Sequence, residues 1–184
     1  MLAHHPAYVG STAWPDPDFL MTGGAGCDEL IPGLRCPGMT DEEYRTEFSL
    51  WAIAGGQLIV ATDVRNMSAL QQTILLNKEI LDIFLDPLGK LGQRVHLDAV
   101  RHVSVWSRPL HDSCVALVLL NASQERQSIA VAFSQIPDSS WDQHTIVAVR
   151  DLWLHTDLPE AVGGFQTDVA PHGVFFAKLC AYSL

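Results

Sequence analysis

Basic residues are scarce in this chain. Lysine and arginine together number 11 against 21 aspartates and glutamates, a formal net charge of −10 in 184 residues. Nucleic acid and anionic membranes both require a positive face, so neither is expected as a partner. Long apolar runs are missing too: the longest, such as 115–120, are far too short to span a bilayer. Residues 1–10 have neither the basic start nor the apolar stretch of a signal peptide. There are only four cysteines and no CxxC or HExxH, and the eight histidines are scattered apart from His4 and His5, whose adjacency suits chelation poorly. No metal or other cofactor is expected. TGGAG at 22–26 lacks the spacing of a dinucleotide loop, the lysine of 89–92 has no Walker pattern around it, and there is no GxSxG.

Apolar residues make up 48% of the chain, ample material for a core in one or two compact units. The richest stretch runs from Trp14 to Met67. A short apolar segment at 19–21 follows WPDPD, whose prolines hold their predecessors extended. Thr40 with Glu43 fits a capping box, Asp41 and Glu42 suit the positive end of a helix dipole, and Tyr44, Phe48, Trp51 and Ala52 recur at helical spacing until Gly55 and Gly56. Residues 57–61 have the continuous apolar character of a parallel strand covered on both faces. Further helices fit 69–76, with Ser68 and Gln71 as a second capping box, and 78–85 behind Asn77. This alternation is that of a β/α barrel at its final two units.

After Gln93 the pattern turns to strands. Segments at 95–106, 114–120, 128–133, 145–153 and 174–182 are separated by Pro, Gly, Asn, Ser and Asp, as in an antiparallel sandwich. The chain therefore divides near residue 92, into 1–92 and 93–184. The strand half is expected to bury its own core and be the stable unit, with the helical half marginal unless it docks on it or on further barrel units.

Several landmarks then stand in one order: WPDPDFL (14–20), GMTDEEYRTEFSLWAIA (38–54), ATDVRNM (61–67), NKEI and DPLGKLG (77–92), VRDLWLHTDL and VAPHGVFFAKL. Together they resemble the C-terminal part of an α-galactosidase of glycoside hydrolase family 27, which also holds α-N-acetylgalactosaminidases. The resemblance implies the last two βα units of a (β/α)8 TIM barrel followed by an antiparallel β-sandwich domain. It implies a retaining hydrolase of terminal α-D-galactosyl residues, with α-galactoside or galactose as its ligand. Such enzymes need two carboxyl groups about 5 Å apart. In this family both are aspartates on earlier barrel strands, which the thirteen residues before Trp14 cannot supply. No catalytic residue is therefore assigned here, and the chain alone is expected to be inactive without an N-terminal barrel half. The alternatives are a non-catalytic carbohydrate-binding or structural module, or a fragment of an α-N-acetylgalactosaminidase.

By the same resemblance Asp18 and Phe19 lie at the rim of the sugar pocket and bind substrate. Asp16 and Trp14 are further rim candidates, although Asp16 is read first as the holder of a turn. The family usually has Asn where Pro15 stands and often Met at Phe19. Asp63 and Arg65 follow the last barrel strand, where such folds carry chemistry, yet so close a pair reads first as an ion pair or cap. The other tryptophans read as core. Cys27 and Cys36 bracket a loop above the barrel face and are read as a disulfide of a secreted or lysosome/vacuole-like parent, while Cys114 and Cys180 lie in expected strands with their state left open. Asn66-Met67-Ser68 and Asn121-Ala122-Ser123 fit glycosylation sequons, which matter only on a secretory route.

Overall fold

The computed structural model describes residues 16–23 and 38–182. Trp14, Cys27 and Cys36 lie outside the described residues. The three expected helices form: α1 Asp41–Ala54, α2 Ala69–Leu75 and α3 Lys78–Phe84. Both capping boxes close, Thr40 with Glu43 and Ser68 with Gln71, and the Asn77 side chain accepts the Ile80 N–H at the start of α3. Such caps contribute about 1 kcal/mol each. Gly55 ends α1 at φ 75°, a left-handed conformation that suits glycine. Among the described residues the two expected barrel strands pair in parallel at Leu20 and Val60, with Leu20 N–H on Ile59 O (2.7 Å) and Ala61 N–H on Leu20 O (3.1 Å).

Eight strands follow: β1 Gln93–Asp98, β2 Val103–Pro109, β3 Cys114–Asn121, β4 Gln127–Ala132, β5 Ile146–Asp151, β6 Thr156–Val162, β7 Gly164–Val169 and β8 Val174–Ala181. The expected single segment at 95–106 is two strands, parted by a turn in which Asp98 accepts the N–H groups of Val100 and Arg101. β6 and β7 have no counterpart among the expected segments. The six-stranded antiparallel sheet runs β1-β2-β3-β8-β5-β6, and β4 pairs with β7 in a second sheet.

This large sheet is covered on both faces. Because side chains alternate along a strand, Val115, Leu117 and Leu119 of β3 join Val103, Val105, Ala177 and Leu179 in the core beneath β4 and β7, with Ile129, Val131 and Phe133 opposite. Cys114, Ala116 and Val118 point the other way. With Trp106, Leu110, Leu152 and Phe176 they pack against Phe48, Ala52, Ile53, Ile74, Ile80 and Ile83 of the helices. The layers are thus helix, sheet, sheet. The strand half has a core of its own beneath β4 and β7, and the docked helices cover a second apolar face, Trp106 to Phe176, that their removal would uncover.

Polar contacts fasten the helices down. Arg108 of β2 is buried and donates to Ala52 O (Nη1, 2.8 Å) and Phe84 O (Nη2, 3.2 Å), carbonyls at the ends of α1 and α3. Asn77 donates to Leu152 O, and Thr46 to His172 O. Glu79 of α3 accepts two guanidinium bonds from Arg150 of β5 (3.0 and 2.8 Å) and meets His155 Nδ1 at 2.9 Å. Hydrogen bonding from Arg150, opposed by burial and aided by His155, holds the Glu79 carboxyl down to about 2. A depressed carboxyl adds stability above its unfolded pKa and loses it as pH falls through the folded value. Between about pH 4.5 and 2 the α3–β5 tie should therefore weaken. Urea melts at pH 6 and pH 2 would measure it: Glu79→Gln should lose clearly more stability at pH 6 than at pH 2, and equal losses at both would contradict the assignment.

Cys114 and Cys180, whose state the sequence leaves open, form a disulfide (S–S 2.07 Å). They are direct register partners in β3 and β8, their Cα atoms 4.3 Å apart. Antiparallel pairing brings Cβ atoms within disulfide reach at such positions.

Candidate functional site

The site builds from the backbone at Asp18. Asp18 has φ 73°, a left-handed conformation in which aspartate is one of the few non-glycine residues enriched. Three contacts hold it there. Its N–H donates to Asp16 Oδ1 (3.0 Å), its Oδ1 accepts the Phe19 N–H (2.8 Å), and its carbonyl accepts Trp51 Nε1–H (2.9 Å). Asp16 thus holds the turn, as read first. Asp18 and Phe19 are both exposed, Phe19 at 50%. A carboxylate beside an exposed aromatic ring can accept sugar hydroxyls while the ring covers apolar C–H faces.

The next residues are anchored from below. Glu47 of α1, buried, accepts Met21 N–H (2.8 Å) and Thr22 Oγ1–H (3.2 Å), and Thr62 Oγ1–H closes on Thr22 O (2.9 Å). Burial pushes the Glu47 carboxyl up against the lowering effect of those hydrogen bonds. Gly56 lets the backbone approach Pro17, because a Cβ there would meet the Pro17 Cγ at 2.3 Å. The helix therefore sets the height of the 16–22 segment through Trp51, Glu47 and the Gly56 contact. Sequence reasoning missed Trp51 and Glu47, although a glutamate three residues after Tyr44 and four before Trp51 lies on the apolar face of α1, an available signal.

Asp63 and Arg65 form the ion pair that their closeness favours. Arg65 Nε and Nη2 reach Asp63 Oδ1 and Oδ2 at 2.8 and 2.7 Å, and Asp63 also accepts Arg65 N–H at the head of a 3-10 turn, Val64–Asn66. The guanidinium holds the Asp63 carboxyl below its ordinary value. Both partners are occupied with each other.

A separate cavity of about 320 Å³ is lined by Gly55, Gln57, Phe84, Leu85, Asp86, Gly89 and Arg108, and none of Asp16, Asp18 or Phe19 borders it. Among the described residues no cluster of three or more His, Cys, Asp or Glu could hold a metal ion, and no helix is long and apolar enough to cross a membrane.

Parallel segments backed by helices, with an antiparallel sandwich behind, fit the closing part of a β/α barrel followed by a β domain. Residues 4–86 match the family described as alpha galactosidase A, and residues 101–179 match the alpha galactosidase C-terminal beta sandwich domain. The chain belongs to the α-galactosidase, or melibiase, family, matching part of its catalytic region and its C-terminal sandwich domain. It is 36% identical over 168 residues to α-galactosidase 3 of Arabidopsis thaliana, covering 90% of this chain and 35% of that protein. Against the α-galactosidase of Cyamopsis tetragonoloba it is 33% identical over 165 residues, covering 90% and 36%. The crystal structure of α-galactosidase I from Mortierella vinacea superposes with a TM-score of 0.77 at 27% identity, over 93% of this chain and 41% of that one. The chain thus spans about a third of the length of these curated relatives.

Proposed function

We propose that this chain is the pocket-rim and C-terminal portion of a retaining α-galactosidase that removes terminal α-D-galactosyl residues. Asp18 and Phe19 contact the sugar: the carboxylate accepts hydroxyl hydrogens and the ring packs on a C–H face. Trp14 extends that rim, and Asp16 serves it by fixing the Asp18 backbone. The organisation is a partial barrel at 1–92 and a sandwich at 93–184. The observation that carries the reading is the threefold tether on Asp18, which holds an exposed carboxylate rigid in a chain of the α-galactosidase family. The two catalytic carboxyl groups, about 5 Å apart in retaining enzymes, are not among these 184 residues but belong to further barrel units. No cofactor, nucleic acid or membrane takes part. The parent enzyme works outside the cell or in a lysosome- or vacuole-like compartment, and Cys27 with Cys36 closes a small disulfide loop there. Exposure of Phe19, Met21, Ile59, Val60 and Val64 agrees with a strand-bearing partner packing on that side.

The test is an aryl α-galactoside assay on the 184-residue chain alone and after mixing with the N-terminal two thirds of a relative such as the Arabidopsis enzyme. The expected result is no turnover alone and turnover after mixing. In the mixed enzyme Asp18→Asn should raise KM about tenfold or more, the loss of roughly one charge-assisted hydrogen bond. Turnover by the chain alone would overturn the assignment of the catalytic carboxyls, and an Asp18→Asn variant with unchanged KM would remove Asp18 from the rim.

A further inference from the structure

Of the two Asn-x-Ser triplets, one falls on a turn with exposed neighbours and the other begins in the core. Asn66 closes the 3-10 turn Val64–Asn66, and the polar residues beside it are open to water, the Arg65 side chain at 84% and Ser68 likewise exposed. Asn121 ends β3 fully buried. Its Nδ2 donates to the carbonyls of Glu125 (2.7 Å), Val169 and Ala170 (both 3.0 Å), and its Oδ1 accepts from the N–H and hydroxyl of Ser123. A glycan on that nitrogen would have to break those bonds and find room where there is none. The Cys114–Cys180 bond is a second, independent observation, since disulfides persist in the oxidising secretory compartments where Asn-linked glycans are attached.

We propose that Asn66 is an N-glycosylation site and that Asn121 is not. The donor is an oligosaccharide linked through its reducing-end N-acetylglucosamine to a polyisoprenyl diphosphate. A bond forms between the Asn66 amide nitrogen and C1 of that sugar, the C1–O bond to the diphosphate breaks, and the amide nitrogen gives up one proton as polyisoprenyl diphosphate leaves. The inference is independent of the sugar-binding role of Asp18, since it needs only a secretory route and an exposed turn.

The experiment is to secrete the full chain from a eukaryotic host behind a leader sequence and release its glycans with peptide-N-glycosidase in heavy-oxygen water. Peptide mass spectrometry then reads which asparagine has become a labelled aspartate. The expected result is label at 66 and none at 121, with Asn66→Gln losing the gel shift altogether. This substitution is preferable to changing Ser68, which would also open the α2 capping box. An unmodified Asn66 in the secreted chain, a labelled residue 121, or a gel shift that survives Asn66→Gln would each overturn the proposal.

Discussion

Arg108→Ala should cost the protein about 2–5 kcal/mol, chiefly by stripping the donor from two helix-end carbonyls. Neither α1 nor α3 carries a basic residue in its last turn. Their final carbonyls, negative ends of two helix dipoles, are met instead by one guanidinium reaching up from β2. Alanine would leave Ala52 O and Phe84 O without that donor, at about 1–3 kcal/mol each where they stay dry. Part of this is returned, because burial penalises the charge. Burial pulls the Arg108 guanidinium down to about 10, with Asp86 acting the other way, and its buried Nε has no partner among the described residues. The carbonyl losses and the void should outweigh that relief. Arg108→Met, which refills the space without donors, should fall between parent and alanine variant. Chemical unfolding followed by circular dichroism would measure the series, and an alanine variant within about 1 kcal/mol of the parent would refute the clamp.

The second large effect is expected from the disulfide. Cys114 and Cys180 are 66 residues apart in sequence, and closing a loop of that size removes about 4 kcal/mol of chain entropy from the unfolded state. Sitting side by side in β3 and β8 does not reduce this figure, because the constraint acts where the sheet no longer exists. Replacing both cysteines with alanine should therefore lower stability by up to about 4 kcal/mol. The folded circular dichroism spectrum should stay the same. Equal urea midpoints for the parent and the double variant would show that the bond adds nothing.

What the sequence disclosed depended on how local each signal is. The helix starts were legible because a capping box needs only four neighbouring residues, as at Thr40 with Glu43 and Ser68 with Gln71. β6 and β7 were not, because β6 lies at a sheet edge, is mostly exposed and carries Pro159, so no apolar alternation marks it. The pairing of Cys114 with Cys180 is set by strand register across 66 residues, and residue types alone do not encode it. At the site, the WPDPDFL motif pointed to Asp18 and Phe19. The tethers from Trp51 and Glu47 belong to a helix more than two dozen residues away and became visible only in three dimensions. The double-sided burial of the sheet did leave a trace. The run from Val115 to Leu120 is unbroken by polar residues, whereas a sheet wet on one face would alternate.

That layering decides where the chain can be divided. Residue 92 is a natural point in the linear order, yet a cut there would pass between Arg108 and both carbonyls it holds, and between Glu79 and Arg150. A chimera that grafts this sandwich onto a foreign barrel would do better to bring α1, α2 and α3 with it, placing the splice upstream of Asp41. Built that way, the graft travels with its own inner lining.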